Sequence, residues 1–179
     1  MEEKSNVNSY LLFTLGKEIF AANVNQVLNI LEMLRITEVP NSAPYMKGVI
    51  NLRGEVLPVI DTRVKFGMSE IEFNKNTCIV VMDIKADGET LRVGALVDSV
   101  VVVLEIHEKD LLPVPNIGDT YKTDFISNMT QYNDQFVMVL SVDKVFSTEE
   151  IIDLKSHKQQ TEKLKRDTKK KEKEQVSVT

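Results

Sequence analysis

The side chains best suited to chemistry are few and scattered along the chain. The sequence has two histidines, His107 and His157, and a single cysteine, Cys78, with no close spacing among them. A zinc site or a Cys–His nucleophile pair needs such groups clustered, so neither is predicted. The sequence also has no glycine-rich phosphate-binding loop and no G-x-S-x-G motif. We therefore predict no metal, no cofactor and no nucleophilic catalysis.

Carboxylates are plentiful, but those within apolar surroundings stand where strands end or break. Asp61, Asp83 and Asp98 each follow a short aliphatic run. Asp at such positions commonly caps a turn or a helix by accepting backbone N–H groups. The prediction for all three is a structural role rather than general acid–base work.

Composition and charge narrow the class of protein further. The 179 residues suffice for one domain or two small subdomains that share a core. A lone cysteine and the absence of a long apolar run or an apolar leader predict a cytoplasmic protein. Residues 155–179 carry nine basic and four acidic side chains, whereas residues 1–154 carry 13 basic and 23 acidic. A body with net charge −10 disfavours nucleic acid as the main partner.

The elements that must position any site are mostly short strands. Apolar and β-branched runs alternate with turn signals, a pattern typical of a β sandwich or small barrels. Four predicted hairpins suggest a rough doubling of the chain, with turns at Gly16-Lys17, Arg53-Gly54, Asp87-Gly88 and Asn133-Asp134.

A few segments depart from this strand pattern. Residues 1–8 are polar and expected to be flexible. Asn23 followed by Gln26 predicts a short helix over residues 24–31, and residues 32–39 read as a strand. Ser147 followed by Glu150 predicts the start of another helix. Residues 155–179 are expected to form a basic tail that is disordered or helical.

The segment 48–61 stands out as a predicted hairpin of two apolar strands. Gly54 supplies the positive φ of a tight turn, and Arg53 places a full charge at its tip. Pro58 lacks a ladder donor, which predicts an edge or bulged strand. An apolar hairpin with one charged tip favours a docking surface over a catalytic pocket.

This segment closely resembles the signature of CheW-type chemotaxis coupling proteins. The matching runs are 47–54 (KGVINLRG), 56–61 (VLPVID) and 63–67 (RVKFG). Shorter similarities are 13–16 (FTLG), 18–21 (EIFA), 93–100 (VGALVDSV), 125–127 (FIS) and 140–146 (LSVDKVF). The resemblance covers roughly Tyr10 to Phe146.

The resemblance implies a fold, a function and a set of site residues. The fold is mostly β: two intertwined five-stranded SH3-like barrels with a shared core, at approximately residues 17–75 and 76–150 of a domain spanning 9–154, with termini exchanged between them. The implied function is a non-catalytic, cytoplasmic adaptor that couples transmembrane chemoreceptors to the histidine kinase CheA at receptor arrays on the inner face of the membrane.

The family's contacts carry over onto particular positions. The receptor's helical tip would bind in the groove between the barrels at Val27, Gly48 and Arg53. The kinase's regulatory domain would bind the first barrel at Val56, Leu57, Pro58 and Val59.

The sequence departs from the family pattern at two residues, and it leaves two alternative functions open. Asn29 replaces a frequent Glu, and Asn128 stands where Gly is common. One alternative is a coupling domain joined to a receiver domain, which the charged segment after Phe146 disfavours. The other is an SH3-like nucleic-acid binder that uses its basic tail.

Overall fold

The computed structural model describes residues 6–70, 72–115 and 124–177 as a mostly β protein. Its ten strands are β1 Val7–Leu15, β2 Glu18–Asn23, β3 Val27–Glu32, β4 Met46–Leu52, β5 Glu55–Asp61, β6 Cys78–Ala86, β7 Glu89–Val97, β8 Ser99–His107, β9 Ile126–Tyr132 and β10 Gln135–Leu140. Two α-helices are present among these residues: α1, Thr62–Lys65, and α2, Thr148–Val176. None of the described helices is long and apolar enough to cross a bilayer.

The strands form two five-stranded sheets, which confirms the predicted pair of five-stranded units. The central sheet has the order β3-β6-β7-β5-β4, and the terminal sheet has the order β8-β1-β2-β10-β9. Each sheet contains one parallel pair: β5 with β7 (Val59 beside Gly94) and β2 with β10 (Ile19 beside Val137). The N-terminal hairpin β1–β2 thus completes a sheet whose other strands follow residue 98.

The predicted boundary between units at residues 75–76 does not coincide with the division between the sheets. Strands β6 and β7, assigned to the second barrel, pair with β3 and β5 of the central sheet. The central sheet therefore occupies residues 27–97. Strand adjacency in sequence does not reveal this arrangement, because a parallel pair joins strands that are separated by a crossover.

Three apolar clusters form the core. The largest lies between the sheets and draws Phe13 and Phe20 from the terminal sheet, Ile60 and Val80 from the central sheet, and Leu154 from α2. Two smaller clusters each belong to a single sheet, one around Leu12 and Val137, the other around Leu57 and Ile79. Each sheet thus covers a small core of its own and shares the largest one.

The hairpins β4–β5 and β9–β10 repeat the same geometry 80 residues apart. Arg53 and Gly54 have φ of 51° and 87°, and Asn133 and Asp134 have φ of 49° and 61°. In both hairpins the register shifts near the far end, between Met46 and Gly48 in one and opposite Val139 and Leu140 in the other. The predicted doubling is therefore real at the level of hairpin geometry.

The predicted helix over residues 24–31 is wrong. Asn23 does cap a helix, since its Oδ1 accepts the Asn25 N–H at 2.9 Å, but that 3₁₀ helix ends at Gln26. The chain then becomes β3, whose Leu31 lies opposite Ile79 of β6. Pairing with β6 satisfies backbone groups over the whole segment, which a local capping signal does not anticipate. Of the predicted strand over 32–39, Glu32 is the last residue of β3 and Thr37 forms an isolated bridge with Val49.

Both ends of the chain are more ordered than composition suggests. Strand β1 begins at Val7, so the last two residues of the segment predicted to be flexible are paired with β8; residues 1–5 lie outside the described part. Helix α2 starts with the predicted capping box, in which the Ser147 N–H donates to Glu150 Oε2 at 2.7 Å. It continues to Val176, so the described part of the tail is helical.

A partly buried ion pair holds the start of α2 against α1. Lys65 Nζ lies 2.9 Å from Glu150 Oε1 and 5.1 Å and 5.4 Å from the ring centroids of Tyr45 and Phe146. Burial raises the pKa of Glu150, but the Lys65 ammonium and the Ser147 N–H outweigh it, and the net pKa is lowered. Burial, together with Glu150 and Asp153, raises the pKa of Tyr45 to about 12.

We predict that Glu150→Gln lowers the free energy of unfolding by about 1 kcal/mol at pH 7. Because the folded-state pKa is lowered, the stabilisation is fully present above the unfolded carboxyl pKa and is lost as pH falls through the folded pKa. Urea titrations at pH 7 and pH 3 should therefore show a smaller difference from wild type at pH 3 than at pH 7. Glu149→Gln, an exposed neighbour on the same helical turn, serves as the control and should change stability by less than about 0.5 kcal/mol.

Candidate protein-interaction surface

The β4–β5 hairpin presents one unpaired cation on a rigid turn. Positive φ at both Arg53 and Gly54 defines a two-residue turn of the type that matches strand twist, and Asn51 Oδ1 accepts the Gly54 N–H at 3.0 Å. The Arg53 side chain is exposed and has no hydrogen-bond or ion-pair partner within the part of the chain that the structure describes. Its guanidinium is therefore available for a carboxylate of another molecule.

Gly48 has a clear structural role. It is buried, with φ of 150°, and a Cβ at this position would lie 2.2 Å from the Thr37 carbonyl oxygen. The close approach exists because Thr37 and Val49 exchange two backbone hydrogen bonds, of 2.9 Å and 2.8 Å. Because Gly48 has no side chain, residues 33–45 can pass close to the edge of β4. Gly48 therefore contributes to a binding surface through the backbone path that it permits.

Val27 lies at the opposite edge of the central sheet from the hairpin tip. It begins β3, is half-buried and packs against the shared core. The following residues carry exposed aliphatic side chains: Leu28 is 43% exposed and Ile30 48%. Leu28 is exposed because the register shift between Val27 and Asn29 turns its side chain outward.

The terminal sheet has a matching apolar edge that the sequence analysis missed. On β8, Val101 and Val103 are 40% and 54% exposed, while Val100 packs against the same shared core that Val27 contacts. The aliphatic run 100–104 reads as a core strand by composition. The sequence does not show that these residues lie on an edge strand, so it does not show that Val101 and Val103 are exposed.

The four residues predicted to bind the kinase are all buried. Val56, Leu57 and Val59 are 0–1% exposed, and Pro58 is buried with them. They belong to the shared core and to the small core of the central sheet. As direct contacts at the surface of this fold they are therefore not supported; their side chains instead fix the shape of the sheet.

The structure also corrects the prediction that Pro58 marks an edge or bulged strand. Strand β5 is an inner strand, between β4 and β7, and the irregularity lies in β4 between Met46 and Gly48. Val49, which faces Pro58, exchanges its backbone hydrogen bonds with Thr37, so β4 requires no donor from Pro58. The parallel pairing with β7 starts only at Val59. The missing N–H of Pro58 therefore interrupts neither ladder.

The side chains that could have done chemistry have structural roles. Asp61 caps α1 by accepting the Val64 N–H at 3.1 Å, Asp83 pairs with Arg92 at 3.0 Å, and Asp98 accepts the Gly16 N–H. Burial raises the pKa of the Cys78 thiol, which opposes a nucleophilic thiolate. Over residues 6–70, 72–115 and 124–177, no group of three or more His, Cys, Asp or Glu side chains could hold a metal ion.

Two curled sheets, apolar free edges and a cationic hairpin tip define a protein-binding module. A sequence model of the CheW-like domain matches residues 9–150, and the chain belongs to the CheW-like family. It is 30% identical to the chemotaxis protein CheW of Klebsiella aerogenes over 142 residues (79% of this chain and 83% of that protein). It is 31% identical to CheW of Bacillus subtilis over 149 residues (83% and 92%).

A solved structure supports the same conclusion. The scaffolding protein TtCheW from Thermoanaerobacter tengcongensis superposes with a TM-score of 0.70 at 26% identity, over 81% of this chain and 96% of that one. The protein is thus a non-catalytic chemotaxis adaptor that couples receptors to the signalling kinase. The family match ends at residue 150, so nearly all of α2 lies beyond it.

We predict that Gly48→Ala destabilises the protein by about 2–4 kcal/mol, because the new Cβ meets the Thr37 backbone rather than a movable side chain. Denaturant unfolding measures the loss. Gly88→Ala is the matched control: φ is +76° there, but nothing lies within 4 Å of the added Cβ, so only the backbone strain of about 1 kcal/mol is expected. Equal losses in the two variants would contradict the assignment of a close approach.

Proposed function

We propose that the protein binds the cytoplasmic tip of chemoreceptors through its central sheet, with Arg53 as the charged contact on the β4 side and Val27 on the β3 side. The observation that carries the proposal is the exposed guanidinium on the two-residue turn, which has no partner among residues 6–70, 72–115 and 124–177. A helical tip that carries carboxylates suits such a residue, since guanidinium binds carboxylate in bidentate geometry. Gly48 acts in the same site by shaping the backbone of β4.

Apolar anchors support a helical receptor segment in the groove between the two units. Val27 of β3 and Val100 of β8 pack against the same shared core, and exposed aliphatic residues follow each of them. A groove that binds a helix contacts the apolar face of that helix through such anchors and its charged residues at the rim of the groove. In this arrangement Val27 supports the apolar wall, and Asn29, which is exposed beside it, offers an amide where a Glu is frequent in the family.

We further propose that the regulatory domain of the histidine kinase CheA docks on the unit built around the central sheet. Four buried residues of β5 would affect this interface indirectly, because their packing sets the curvature of the sheet that the kinase would meet. They are Val56, Leu57, Pro58 and Val59. Binding both partners would place the protein in the cytoplasm, recruited to receptor arrays at the inner face of the membrane.

Arg53→Glu is the most direct test of the receptor site. It should raise the Kd for a receptor tip fragment about tenfold or more in calorimetric titration and leave the Kd for the kinase's regulatory domain unchanged. Lys17→Glu makes the same charge change at the exposed β1–β2 turn of the other sheet and should leave both constants unchanged. Wild-type protein that binds neither partner would overturn the whole proposal.

Leu57→Ala tests the supporting role of β5. It should lower the free energy of unfolding by about 2–5 kcal/mol, since Leu57 is fully buried. The kinase affinity of the folded fraction should fall no more than it does in Leu96→Ala, a truncation in the same small core outside the predicted contact residues. A selective loss of kinase binding in Leu57→Ala, at equal folded fraction, would indicate a direct contact instead.

A further inference from the structure

The start of helix α2 packs on β5, and its continuation over residues 161–172 stands off from the β4–β5 hairpin. An open groove of about 530 Å³ separates them. Its sheet wall consists of Thr37, Val49, Ile50, Asn51, Gly54 and Val56, and its helix wall of Thr161, Leu164, Lys165, Thr168, Lys169 and Glu172. The helix wall covers residues 161–172, a length of about 16 Å at the rise of an α-helix.

Ion pairs fix the base of this groove. Lys158 Nζ lies 3.1 Å from Glu55 Oε1, and Glu55 Oε2 lies 3.3 Å from Arg92, which in turn pairs with Asp83. One turn earlier, Lys155 pairs with Glu89. These contacts set the direction in which α2 leaves the body, so the two walls have a defined separation at their closed end.

The side chains on the inward face of α2 change from apolar to polar where the groove opens. The face begins with Ile151 and Leu154, which are 5% and 1% exposed in the shared core. At the same 3-4 spacing it continues with Lys158, Thr161 and Lys165, which are half-buried. An amphipathic helix that was meant to pack against the hairpin along its whole length would keep apolar residues at these positions. The open part of the groove is thus lined by cations and hydroxyls on this side.

The charged side chains that line the groove are two lysines, Lys165 and Lys169, and one glutamate, Glu172, so the net charge of the lining is positive. The Thr161 and Thr168 hydroxyls donate to the carbonyls of His157 and Leu164 within the helix, each at 2.9 Å. Lys165 and Lys169 have no ion-pair or hydrogen-bond partner in the part of the chain that the structure describes. Leu164, 67% exposed, adds one apolar contact beside them.

We propose that this groove is a docking site for an acidic amphipathic helix of a partner protein. Its apolar residues would contact Leu164, and its carboxylates would pair with Lys165 and Lys169. Charge complementarity selects an acidic partner, and the exposed Leu164 beside the two lysines favours an amphipathic protein helix over a polyanion. The chemistry of the partner, an acidic helix, is argued from the groove alone. That the partner belongs to the receptor array rests on the proposed function.

The geometry excludes the simplest alternative, in which a partner strand adds to the edge of β4. That edge is already bridged at Val49 by Thr37. A strand would also leave the cations of α2, on the far wall, without carboxylates at a matching distance.

The test uses the full chain and three probes. A fluorescent 20-residue helical peptide with leucines on one face and glutamates on the other is titrated by anisotropy. A scrambled peptide of identical composition and a single-stranded 20-nucleotide DNA are titrated beside it. Wild-type protein should bind the amphipathic peptide about tenfold more tightly than either of the other probes.

Matched variants assign the binding to the groove. Lys165→Glu/Lys169→Glu should weaken binding of the amphipathic peptide about tenfold. Lys163→Glu/Lys170→Glu makes the same charge change on the opposite face of the exposed helix and should weaken it less than about twofold. Equal losses in the two variants, equal binding of the scrambled peptide, or tighter binding of DNA would overturn the proposal. Circular dichroism of each variant verifies that α2 remains helical.

The receptor tip fragment then separates this proposal from the proposed function. If that fragment binds wild type but ignores the groove variants, while the peptide responds to them, the groove serves a different acidic helix. If the peptide ignores both variants and Arg53→Glu still weakens receptor binding, the groove proposal fails and the adaptor function stands. If the fragment does not bind at all, the receptor proposal fails independently of the peptide result.

Discussion

Burial of the core shared by the two sheets is the constraint on which the rest of the structure depends. Phe13, Phe20 and Ile60 come from different sheets, yet they bury one another almost completely. Each sheet's own cluster is small, so neither unit has enough apolar burial to be stable alone. The sheets therefore hold a fixed relative position, and the edges that flank the shared core, β3 and β8, are held with them.

Rigidity of this kind explains how an adaptor works without an active site. The groups that could bind are presented at edges and tips: Arg53 on a two-residue turn, and the aliphatic residues of β3 and β8. The strands behind them are buried on both faces, as the 0–1% exposure of Val56, Leu57 and Val59 illustrates. A partner meets preorganised groups, so little conformational entropy is lost on binding.

The two hairpins of repeated geometry differ in the charge at their tips and in their relation to α2. The β4–β5 and β9–β10 hairpins have the same turn and the same distal irregularity, but they carry opposite charges at their tips, Arg53 and Asp134. Helix α2 covers only the first of them, beyond the region in which the family match applies. The cationic helix therefore modifies one hairpin of an otherwise symmetric pair, through a segment that family membership does not explain.

Local chemistry determined the strands, the turns and the capping residues of this protein. The positive-φ turn at Arg53-Gly54, the Ser147 capping box and the helix-capping role of Asp61 all depend on residues within a few positions of one another, so the sequence alone sufficed to predict them. The family signature at residues 47–67 likewise lies in one continuous segment. The absence of clustered histidines and cysteines was visible in the sequence without any structure.

Tertiary structure alone decided how strands combine and which side chains stay exposed. Val24–Leu31 has a genuine helix cap at Asn23, but pairing with β6 converts most of it to a strand. Leu28 and Val103 look like core residues until their strands prove to be sheet edges, whereas Val56 to Val59 resembled a contact segment until β5 proved to be an inner strand. These outcomes depend on which distant segments pair. Parallel pairing, as of β5 with β7, involves residues about 35 positions apart that leave no mark in local sequence.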